Sequence, residues 1–94
     1  MSAEVGITVN IPQFIQHLTN NTKSVEVIGS TVGECLEKVC LRFPQTKDSL
    51  FDKDGVLKAN ILIYVNRKSA YPNELGRPVK EGDILDIVIA LAGG

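Results

Sequence analysis

The stretch Ile84-Leu85-Asp86-Ile87-Val88-Ile89-Ala90-Leu91-Ala92-Gly93-Gly94 decides how the chain is read. Leu85, Ile87, Ile89 and Leu91 fall on one face and Ile84, Asp86, Val88 and Ala90 on the other, the period of two of a β-strand. Ala92-Gly93-Gly94 then exchanges bulk for almost none. Glycine adds no side chain and reaches φ values closed to other residues, so a rigid root is expected to present a thin, pliable tip. The functional group of that tip is the carboxylate of Gly94. Chain ends are often mobile without any role, so the glycine pair takes its meaning from what precedes it.

Working back from that strand, Pro78-Val79-Lys80-Glu81-Gly82-Asp83 reads as the turn that feeds it. Asn60 to Asn66 reads as another principal strand, rich in β-branched and aromatic residues, with Asn66-Arg67-Lys68 turning the chain after it. A short strand is expected around Ala70-Tyr71, within Ser69 to Arg77. Pro44 to Ala59 is polar and turn-rich, with a turn at Asp54-Gly55 and with Leu50, Phe51, Val56 and Leu57 as local anchors.

Thr31-Val32-Gly33-Glu34 has the spacing of a capping box, in which hydroxyl and carboxylate satisfy backbone amides at a helix start. Val32, Leu36, Val39 and Phe43 follow on one helical face, and Pro44 ends the helix by pushing the residue before it out of helical geometry. Nearer the start, Val5, Ile7, Val9 and Ile11 alternate with polar residues, and Val25 and Val27 do the same within Lys23 to Val27. These runs are expected to form a hairpin joined by a long loop, Pro12 to Thr22. In that loop Phe14, Ile15 and Leu18 fold over the core's edge, and Asn20-Asn21 turns the chain. Strand, strand, helix, strand, short strand, strand is an α+β arrangement in one domain spanning residues 1–94. One main helix covers one face of the sheet, so the other face must meet water or a partner.

Composition narrows the function. A hydrophobic share of 44%, a charged share of 22% and a net charge of -1 are those of an ordinary globular domain. Scattered Lys and Arg, without interleaved aromatics, argue against a nucleic-acid surface. The apolar runs are too short to span a bilayer and no signal peptide opens the chain, so no membrane role and a cytoplasmic location are expected. Cys35 and Cys40 lie about 140° apart around a helix, badly placed to pair, and with His17 they supply too few ligands for zinc. His17 reads as a solvated loop residue. Asn20-Asn21-Thr22 fits a glycosylation sequon without the export signal that would give it meaning. No nucleophile with a histidine base, phosphate loop or carboxylate pair stands out, so the chain is not expected to be an enzyme by itself.

Ile61-Leu62-Ile63-Tyr64-Val65-Asn66, Glu81-Gly82-Asp83 and Ala92-Gly93-Gly94, in this order and near these separations, closely resemble the ubiquitin-like sulfur-carrier family (MoaD, ThiS and CysO type). The resemblance spans the chain, and Ile11-Pro12 with its loop looks most like the cysteine-synthesis type. It implies a β-grasp, ubiquitin-like fold with a mixed sheet and the last strand at its centre. It also implies that no cofactor is bound and that a ubiquitin-activating-type adenylating enzyme (MoeB/ThiF-like) consumes ATP to activate Gly94. The product is a thiocarboxylate that delivers sulfur to a biosynthetic enzyme, for cysteine or a related amino acid or for molybdopterin. Gly93 is the companion that lets the tail enter a narrow site. The chain departs from many family members in having Ile89-Ala90-Leu91 where they carry proline. Other readings of the same tail are a ubiquitin-like modifier conjugated to lysines through Gly94 and a non-covalent ubiquitin-like binding module.

The uncovered sheet face then acquires a role. Val88 and Ala90, joined by Leu62 and Tyr64 or by their alternates Ile61 and Ile63, would form an apolar docking surface at the tail's root, with Arg67 and Lys68 as its charged rim.

Overall fold

The computed structural model describes residues 6–90. Five strands form one mixed sheet: β1 Gly6–Asn10, β2 Ser24–Ile28, β3 Ile61–Val65, β4 Lys68–Ser69 and β5 Ile84–Ile89. Their order is β2-β1-β5-β3-β4, which puts the last strand at the centre. β1 and β2 form the expected antiparallel hairpin, β5 runs parallel to β1, and β3 is antiparallel to β5. The principal helix α1, Val32–Arg42, covers one face. Val32, Cys35, Leu36 and Val39 point inward from it onto Ile7, Val9, Val25, Val27, Ile61, Ile63, Leu85 and Ile87, all buried. This shared face is the hydrophobic core, and each large aliphatic side chain removed from water there contributes about 1.5–3 kcal/mol.

Helix α1 starts where its capping residues predict, with a difference in detail. Thr31 Oγ1 accepts from the Glu34 N–H at 3.1 Å, but the Glu34 carboxylate reaches one residue further back, to the N–H and hydroxyl of Ser30 at 2.8 and 2.9 Å. The hydrogen bonds from Ser30, its backbone N–H first, lower the Glu34 pKa. The other N–H groups of the first turn, on Val32 and Gly33, donate to Arg77 O and Leu75 O, both at 2.9 Å. The 72–77 loop thus closes the helix start, where orphan amides need partners.

Three expectations are corrected. Gln13–Thr19, within the expected loop, is a 3₁₀ helix that buries Ile15 and half-buries Leu18 while Phe14 stays exposed. Asn20 and Asn21 turn the chain after it with φ of 56° and 62°. Pro44–Thr46 and α2, Lys47–Leu50, are short helical turns within the stretch read as irregular; Leu50 is an anchor there, whereas Val56 is exposed. The short strand lies at Lys68–Ser69 and not around Ala70-Tyr71, because Asn66 and Arg67 make a two-residue turn and pairing resumes at once, with Lys68 opposite Val65. Val5 and Leu91, read as the outer ends of the first and last strands, lie outside the described residues.

Candidate functional site

β5 is built as an anchored rod. It pairs with β1 through Ile84 to Asp86 and with β3 from Leu85 to Ile89, Ile61 opposite Ile89 and Val65 opposite Leu85. Pairing continues past the strand, since the Ala90 N–H donates to Asn60 O at 2.8 Å. At the other end, Asp83 holds the root. Its carboxylate accepts from Asn66 Nδ2 and from the Lys80 N–H, each at 2.9 Å, while Asn66 Oδ1 accepts from the Ile84 N–H at 2.9 Å. These bonds, the Asn66 amide first, lower the Asp83 pKa. Ala92, Gly93 and Gly94, the residues read as the tail, lie outside the described residues.

The register decides which residues share the open face. Leu62 stands opposite Val88 and Tyr64 opposite Asp86, and residues directly opposed on neighbouring strands point to the same side. Ile61 and Ile63 are buried under α1, which leaves Leu62 and Tyr64 as the partners of Val88. Leu62 and Val88 are exposed at 36% and 38%, enough to contact a partner while still packing on each other's strands, and Ala90 is exposed beside them. Arg67 joins Tyr64, Val88, Asp86, Asn10 and Pro12 around a shallow depression of about 390 Å³. Lys68 does not belong to this rim. It is opposed to the buried Val65, so its side chain leaves the sheet on the helix-bearing face.

Asn10 and Asp86 are part of this surface without having been singled out from the sequence. Asn10 Nδ2 donates to Asp86 Oδ1 at 2.7 Å, across strands 76 residues apart in the chain. Alternation alone puts both on the open face, but their meeting depends on the parallel β1–β5 pairing, for which no local signal exists.

A larger groove, about 760 Å³, runs along the opposite side of the molecule between α1, Pro44, Lys47, Phe51 and Leu75, with Cys40 in its wall. Burial raises the Cys40 pKa and pushes that of Cys35 up to about 11, so both are held as thiols. His17 sits on the 3₁₀ helix. Among the described residues no three His, Cys, Asp or Glu side chains could hold a metal ion together, and no helix is long and apolar enough to cross a membrane.

A rigid central strand that leads toward the glycines, flanked by an apolar open face, is the geometry expected of a carrier handled by other proteins. Residues 9–94 match the profile of the ThiS family. The chain belongs to the ThiS family. This membership agrees with the ubiquitin-like sulfur-carrier resemblance and with the β-grasp sheet. A chain in the crystal structure of the Amycolatopsis orientalis BexX/CysO complex is 37% identical, with TM-score 0.84, over 94% of this ThiS-family chain and 99% of that one. The crystal structure of Mycobacterium tuberculosis CysO, an antigen, is 27% identical, with TM-score 0.81 over 90% and 99% of the two chains. SAMP1 of Haloferax volcanii, at 23% identity and TM-score 0.83 over 95% and 99%, shares the fold. A comparison with curated proteins returned no match.

Proposed function

We propose that the protein is a sulfur carrier whose Gly94 carboxylate is adenylated by a ubiquitin-activating-type enzyme and converted to a thiocarboxylate. The observation that carries this reading is the family match, which runs through the Ala92-Gly93-Gly94 end of a strand anchored at the centre of the sheet. A carboxylate resists a sulfur nucleophile because it is negatively charged and offers a poor leaving group. Attack of a Gly94 oxygen on the α-phosphorus of ATP expels pyrophosphate and forms an acyl adenylate. A sulfur nucleophile then displaces AMP, so one difficult step becomes two easier ones. Four residues separate Ala90 from the Gly94 carboxylate, at most about 14 Å of chain. That length lets the reacting group enter an active site while the sheet stays outside.

The activating enzyme docks on Leu62, Tyr64, Val88 and Ala90. The thiocarboxylate then serves a biosynthetic enzyme that makes cysteine, a related sulfur amino acid or molybdopterin. The match to a chain of a complex with a second protein supports a protein partner. ATP–pyrophosphate exchange with the adenylating enzyme of the same host tests the reading. Exchange is expected with the wild-type chain and is expected to fall at least tenfold with Gly94→Ala or Gly93→Ala at unchanged thermal stability. Equal exchange by both variants would contradict it.

A further inference from the structure

We propose that Arg67 is a specificity-determining contact for the protein that docks on the open sheet face. Its guanidinium takes a carboxylate that the partner presents beside an apolar side chain seated against Tyr64 and Val88. The inference rests on the docking role assigned above and adds the chemistry the partner must offer.

The β3–β4 turn consists of Asn66 and Arg67 alone, with φ of 51° and 72°. Both values lie in the left-handed region, as the twist of a tight hairpin requires, and the second position is one where glycine is favoured because a Cβ crowds the backbone. Elsewhere among the described residues the left-handed region is taken by asparagine, at Asn20 and Asn21, or by glycine, at Gly55 and Gly82, and Arg67 is the one residue of another type. Asn66 has a structural reason for its place, since its amide joins Asp83 to Ile84. Arg67 has none. It is exposed, and the hydrogen bond that Asp86 makes with a described side chain comes from Asn10, not from the guanidinium around the same depression.

A conformational cost kept at an exposed position points to use of the side chain. The planar guanidinium suits a carboxylate, which it can grip through two parallel hydrogen bonds. The depression beside it supplies the second half of the recognition. Tyr64, Val88 and Pro12 give it apolar walls, and Asp86 is held in place by Asn10. An apolar residue next to an Asp or Glu on the partner satisfies both halves, whereas a basic residue facing Arg67 is repelled. The turn lies at the Val65 end of β3, and Ile61 at the opposite end pairs with Ile89 next to the tail. Arg67 therefore stands at the end of β3 away from Ile89, and its role is assigned to binding and not to chemistry.

The test uses ATP–pyrophosphate exchange by the host's adenylating enzyme, with the full chain varied in concentration, alongside thermal unfolding of each variant. Arg67→Gly is expected to raise the KM for the carrier about tenfold, the size of a lost charge-assisted contact, with kcat unchanged. Its melting temperature is expected to equal or exceed the wild-type value. Arg67→Lys keeps the charge without the fork and should fall between, and Arg67→Glu should raise KM beyond Arg67→Gly. A wild-type KM in Arg67→Gly would overturn the assignment, as would a KM for Arg67→Glu no higher than for Arg67→Gly, since the contacted group would then not be anionic. No exchange with the wild-type chain would defeat the docking role itself, and this inference with it.

Discussion

Replacing Asp83 with alanine tests whether the root of β5 is clamped as the structure shows. Asp83 is 7% exposed, and its carboxylate accepts two hydrogen bonds, from the Asn66 amide and the Lys80 N–H, both at 2.9 Å. Bonds to a charged acceptor contribute about 1.5–3 kcal/mol each, so Asp83→Ala should cost about 3 kcal/mol at the lower end of that range. For a domain of this size that corresponds to a fall in melting temperature of about 12–24 °C. Urea unfolding followed by far-ultraviolet circular dichroism at pH 7 measures it. The pKa of Asp83 is lowered in the folded state, the Asn66 hydrogen bond being the main cause. Its stabilisation is therefore fully present above the ordinary carboxylate pKa of about 3.9 and is lost as pH falls through the lower folded value. The wild-type advantage should be equal at pH 7 and pH 5 and shrink only below about pH 4. A variant within about 0.5 kcal/mol of wild type at pH 7, the range of an ordinary surface change, would refute the clamp. So would an advantage already lost at pH 5.

Gly33→Ala should destabilise the protein by about 1–2 kcal/mol, although alanine is the better helix former, because its Cβ would stand 2.9 Å from Leu75 O and push away the loop that closes α1. A raised melting temperature would contradict that packing. Val88→Asp puts a charge on the open face at a position 38% exposed, so unfolding should shift by no more than about 1 kcal/mol while the KM for the carrier in pyrophosphate exchange rises at least tenfold. An unchanged KM would count against that face as the docking surface.

Much of the fold is legible in residue patterns because one helix and four strands each bury one face. Val32, Leu36 and Val39 are fully buried on the predicted helical stripe, and Leu85 and Ile87 on the predicted strand face. The open face was legible for the same reason, down to the choice between Leu62 with Tyr64 and Ile61 with Ile63, which needed the register. Short helical turns leave no such pattern. Pro44–Thr46 and Lys47–Leu50 are held by tertiary contact, with Thr46 and Leu50 fully buried, and are too brief to show a helical period. Lys68 was assigned to the wrong face because a two-residue turn reverses the chain at once, and a one-residue shift in pairing flips a side chain across the sheet. The Asn66–Asp83 and Asn10–Asp86 contacts join residues 17 and 76 positions apart, so no helical or strand period reports them, although Asn66 and Asp83 both fall within the stretches that carry the family resemblance.

The central claim is the chemistry at Gly94, and intact-mass measurement of the protein isolated from its native host under sulfur demand tests it most directly. The account predicts a species heavier by the exchange of one oxygen for one sulfur, assigned to Gly94 by fragmentation and absent from Gly94→Ala. A tail carrying only oxygen, or Gly94 found solely in isopeptide linkage to lysines, would contradict it.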